Sequence, residues 1–116
     1  MAQWLGQFSG NTQRTAVEDA EKLLNHAASV FRDSTAAARP RKAKAVRALA
    51  KRVHAARIRF LRAQIRKASD PAISEAKRVR AKEIAKLEEA LALAQADGID
   101  GILHEFSAGD ARQTMA

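Results

Sequence analysis

The sequence predicts an all-α fold: a three-helix antiparallel bundle built on a long helical hairpin, with a short C-terminal helix. Three observations predict it. Ala, the strongest helix former, makes up 27 of the 116 residues. The β-branched and aromatic residues that strands prefer are sparse, aromatics reaching only 4%. Apolar residues recur at helical spacing along three stretches, and turn chemistry separates the stretches. A chain of 116 residues suits one domain with its own core.

Residues 1–14 read as a loosely docked arm, anchored only by Trp4, Leu5 and Phe8 and interrupted by Gly6 and Gly10. The bundle domain is expected over 15–106. Its first helix opens near Thr15, where Thr15 and Glu18 fit a capping box. Val17, Ala20, Leu24, Ala27, Ala28 and Phe31 form the apolar stripe of that helix, and residues 33–39 form the connection.

The second helix opens at Pro40, which suits a first helical position, and runs to about Ala68. Val46, Leu49, Ala50, Val53, Ala56, Phe60, Leu61 and Ala68 fall on one face. Asp70 and Pro71 then supply an N-cap and first residue for the third helix. Ile73, Ala76, Ile84, Leu87, Leu91 and Ala94 line its inner side. Gly98 stops it, and Ile99, Ile102, Leu103 and Phe106 form a short terminal helix. Residues 107–116 are expected to be a disordered tail. Two long helices joined by a tight turn lie antiparallel. A turn at 69–70 would place Arg57 of the second helix opposite Glu83 of the third, as a register-setting pair.

Charge is the most informative feature for function. The net charge is +8 and the isoelectric point about 10.6. Residues 39–67 contain 12 Arg or Lys and no acid, whereas 83–110 contain seven acids and one base, Lys86. A GC-rich gene raises Ala and Arg together, but it does not separate the charges in this way. Lys44, Lys51, Arg52, Arg59, Arg62 and Arg66 cluster on the polar face of the second helix, with Arg47 at its border. These seven residues are the candidate nucleic-acid-binding set, each able to donate a charge-assisted hydrogen bond to phosphate. Arg outnumbers Lys, which favours forked contacts. The face carries no aromatic for base stacking, and two long antiparallel helices are not a helix-turn-helix. Backbone contacts with little sequence specificity are therefore expected.

The alternative is an acidic protein docked on that face, a homodimer included, since a second copy brings its own acidic 83–110 segment. A membrane surface fits less well, because the apolar side of the second helix is needed for the bundle.

No enzyme chemistry is expected. Cys is absent, so no thiolate nucleophile or thiolate metal site exists in this sequence. His26, His54 and His104 are far apart along the chain. Glu88 and Glu89 are adjacent and point about 100° apart on a helix. The stretch DGIDG over 97–101 lacks the alternate oxygen ligands and closing Glu of a calcium loop. No cofactor, metal or small-molecule substrate is indicated. The N-terminal stretch lacks the features of a signal peptide, and no apolar run approaches bilayer length, so a soluble cytoplasmic protein is expected.

Overall fold

The computed structural model describes residues 12–70 and 77–112. These form three α-helices, α1 (Thr12–Arg32), α2 (Arg39–Ala68) and α3 (Lys77–Glu105), followed by a 3₁₀ turn, Gly109–Arg112. The result is an elongated helical bundle of 58 × 23 × 18 Å. Helix α2 is central. It packs along both α1 and α3, which touch one another only slightly.

The predicted stripes account for most of the core, although Ala27, Leu49, Ile84, Leu91 and Ala94 are only partly buried and Ala43, Ala108 and Ala111 join it. Val17, Ala20, Leu24, Ala28 and Phe31 of α1 are buried, as are Val46, Ala50, Val53, Ala56, Phe60, Leu61 and Ala68 of α2. The core falls into two clusters. One joins α1 and the first half of α2 to Ile102, Leu103, Phe106, Ala108 and Ala111. The other joins Val17 to Phe60, Leu61 and Leu87 in the second half.

Helix α1 begins at Thr12, three residues before the predicted capping box. Glu18 is not free to cap, because Arg14 donates to it across one turn at 3.1 Å. Helix α2 opens with Pro40 in its first turn, as its sequence requires. The predicted start of the third helix at Asp70–Pro71, with Ile73 and Ala76, lies largely outside the described residues, as do residues 1–11 of the expected 1–14 arm, whereas residues 12–14 belong to α1.

Gly98 breaks α3. Its dihedrals, φ 56° and ψ −148°, lie where essentially only glycine is comfortable. The bend delivers Ile102, Leu103 and Phe106 into the cluster with α1.

The expected disordered tail from residue 107 does not hold for 107–112, and the reason is a helix-ending motif. Ala108 N donates to Leu103 O at 2.8 Å and Ser107 N to His104 O at 3.1 Å, while Ser107 has φ 56°. That is a Schellman ending with Ser, not Gly, in the left-handed position. Ala108 and Leu103 share the same buried cluster, which supplies the hydrophobic contact of the motif. Three arginines then tie the segment down. Arg32 donates to Phe106 O at 2.8 Å, Arg47 to Ala111 O at 2.6 Å, and Arg39 pairs with Asp110 at 3.5 Å. Residues 113–116 lie outside the described residues.

The two positive-φ sites give opposite predictions. A Cβ at Gly98 would meet nothing within 4 Å, so its cost is purely conformational. Gly98→Ala is expected to destabilise by about 1–3 kcal/mol. Ser107→Gly is expected to stabilise by about 0.5–1 kcal/mol. Urea unfolding followed by circular dichroism measures both.

Candidate nucleic-acid interface

The polar face of α2 is built by the same periodicity that builds its core. Residues three, four and seven apart share a side, so a strict apolar stripe leaves an equally strict polar one opposite. Lys44, Lys51, Arg52, Arg59, Arg62 and Arg66 are all exposed, on the side away from buried Val46, Val53 and Phe60. They fall within an arc of about 100°. None forms an ion pair with a described residue. Arg41, not in the predicted set, is exposed on the same face. It follows Pro40 in the first turn, ahead of the apolar stripe that runs from Val46. From Arg41 to Arg66 the face is about 38 Å long. Ala48 and Ala55, also exposed, lie along its centre line.

Arg47 belongs elsewhere. It is half-buried, and its Nη1 donates to Ala111 O at 2.6 Å, clamping the 3₁₀ turn against α2. Arg47→Gln is expected to cost about 1 kcal/mol of stability and to leave phosphate binding nearly unchanged. A melting curve and a binding titration on the same sample would check both parts.

Arg57 interrupts the core stripe, and its partner is not Glu83. Its Nη1 and Nη2 donate to the two oxygens of Glu105 at 2.9 and 2.7 Å, a forked pair, and Nη2 also donates to buried Glu21. Glu83 is exposed. The expected pairing assumed a tight turn at 69–70. Instead Phe60 and Leu61 cluster with Leu87, and Arg57 lines one cleft with Ala90, so the facing register is shifted. The bend at Gly98 then returns Glu105 to the middle of α2. One guanidinium thus links α1, α2 and the terminal arm of α3. Burial penalises the Arg57 charge, but the hydrogen bonds and charges of Glu105 and Glu21 outweigh that and raise its pKa. The hydrogen bond from Arg57 holds the Glu105 carboxyl below its usual range against partial burial.

A lowered folded pKa contributes stability that is present above the unfolded value, near 4.5, and lost as pH falls through the folded value. Acidification from pH 5 downward is therefore expected to loosen the bundle, and Glu105→Gln should flatten that dependence. Chemical unfolding at several pH values tests it.

A cleft of about 290 Å³ lies inside the bend of α3 against α2. Leu93, Ala90, Ala94 and Ile102 give it an apolar wall, and His54, Asp97, Arg57 and Glu105 a polar one. The Arg57 charge there is already committed to carboxylates. His26 and His104 are exposed and apart from it. Among the described residues no three His, Asp or Glu come together as metal ligands, and no helix is long and apolar enough to cross a membrane.

No family model, curated protein or solved structure matches this chain. The functional reading therefore rests on the face of α2 itself. Its chemistry is simple: many strong donors, no acceptor among the charged groups, and no built-in counterion among the described residues.

Proposed function

We propose that this is a non-enzymatic protein that binds the phosphate backbone of nucleic acid, with little sequence specificity, through the exposed basic face of α2. The observation that carries the reading is the contrast among the cations of one helix. Arg39, Arg47 and Arg57 have defined partners within the fold. Arg41, Lys44, Lys51, Arg52, Arg59, Arg62 and Arg66 stand exposed together without an acid on their helix. Like charges at i,i+3 and i,i+4, as in Arg59–Arg62 and Arg62–Arg66, cost a few tenths of a kcal/mol each. A polyanion relieves that repulsion and releases its own counterions on binding.

Titration of a labelled 20-base-pair DNA duplex and a labelled RNA hairpin at low salt tests the proposal. Micromolar or tighter binding to at least one is expected. Binding to neither would overturn it.

One observation favours a second reading, in which the face docks an acidic protein. Glu88, Glu89, Asp97 and Asp100 are exposed on α3, so a second copy of the chain offers a complementary surface. Light scattering on a size-exclusion column would show a dimer that dissociates as salt rises. A monomer at all concentrations removes the self-association form of this reading.

A further inference from the structure

The cations of α2 are not scattered over the face. Arg41 and Lys44 form one exposed pair, Lys51 and Arg52 a second, and Arg59 and Arg62 a third. The midpoints of successive pairs are nine residues apart, a rise of about 13.5 Å. Each pair straddles the same centre line, one cation on either side, because nine residues make two and a half turns and the spacing within the pairs alternates. The first and third pairs are 18 residues apart, five whole turns, so they are in phase over about 27 Å. Between the pairs the centre line is occupied by Ala48 and Ala55, both exposed. The face is therefore three cationic forks separated by two low, uncharged steps.

We infer that this spacing selects duplex DNA, with α2 lying along the duplex axis and each fork seated on one strand crossing; the inference rests on the phosphate-binding reading above. A B-form minor groove is about 6 Å wide and a major groove about 12 Å. Adding roughly 6 Å for the phosphate groups puts the first two strand crossings about 12 Å apart, and the helical turn of about 34 Å puts the third about 22 Å beyond the second. The second fork lies about 13.5 Å from the first, near the second crossing; the third reaches forward from about 27 Å, and Arg66, at about 35 Å, meets the third crossing. Arg and Lys side chains of several ångströms absorb the remaining differences. A straight rod meets a duplex this way only along its axis, where the surface is straight too. The alanine steps pass over the grooves without reaching for base edges, which accounts for binding without sequence readout. A single strand offers phosphates in an unbroken, flexible row and no aromatic platform meets its bases here, so it gains nothing from gaps between forks.

The experiment compares a labelled 20-base-pair DNA duplex, one strand of it alone, and an RNA duplex of equal length. The expected result is at least tenfold tighter binding to the DNA duplex than to the other two at the same salt. Three variants, Arg41→Ala/Lys44→Ala, Lys51→Ala/Arg52→Ala and Arg59→Ala/Arg62→Ala, should each reduce the log–log salt slope on the duplex by about 1.8, two contacts' worth. All six residues are exposed, so the helix persists in each variant. Single-strand or RNA binding as tight as DNA-duplex binding, or a slope insensitive to any one fork, would overturn the three-crossing geometry while leaving phosphate binding intact. No binding to any probe at low salt would overturn the phosphate-binding reading itself.

Discussion

Arg57→Ala is expected to destabilise the protein by about 3–5 kcal/mol, because breaking a buried ion pair leaves its partner charged and uncompensated. The stranded partner is Glu21, which is 4% exposed on the inner face of α1. Glu105 would simultaneously lose the forked contact that holds the terminal arm of α3 to α2. A loss of that size is a large part of the about 5–15 kcal/mol that a small domain has in total. The double variant Arg57→Met/Glu21→Leu should recover most of the loss, since apolar groups of similar volume often replace a buried ion pair at little cost. Urea unfolding monitored by circular dichroism reads both. A single-variant effect below about 1 kcal/mol would mean that the three helices are joined by apolar packing alone.

The second large effect concerns binding. Arg59→Glu/Arg62→Glu removes two phosphate contacts and turns two carboxylates toward the polyanion. Losing two contacts lowers affinity about 30-fold at 0.15 M salt, and the added repulsion brings the loss to about 10³-fold. Both residues are exposed, so the fold has no reason to fail. A Glu at 62 would even face Arg66 across one turn, a pairing worth a few tenths of a kcal/mol. Helicity and melting temperature should therefore match the parent protein. Undiminished polyanion binding in that variant would remove α2 as the interface.

Most of the bundle was legible because the apolar period is long and regular. From Val17 to Phe31 and from Val46 to Ala68 the stripes read directly onto buried faces. Gly98 announced a break, but not that the chain beyond it would bring Glu105 to Arg57 in the middle of α2. Arg57 announced a charge in the core, yet its partner depended on the register of α3 against α2 and on the bend at Gly98, which hydrophobic period does not encode. Glu21 carried an unused signal: it lies between Val17, Ala20 and Leu24 on the inner stripe, and an acid there needs a buried cation. The ordered 107–112 segment was hidden because its helix stop is Ser107 in a conformation that glycine usually fills, and because arginines distant in sequence secure it. Of the candidate interface, six of the seven residues stand exposed on one face. Arg47 at the border is drawn into the fold by a backbone carbonyl that no periodicity places there.

The most direct test of the central claim is the salt dependence of binding to a labelled DNA duplex, measured from about 50 to 300 mM salt. Seven phosphate contacts from α2 predict a log–log slope near −6, with affinity falling steadily across the range. A slope near zero, or no binding at the lowest salt, would contradict a phosphate-binding role for the basic face.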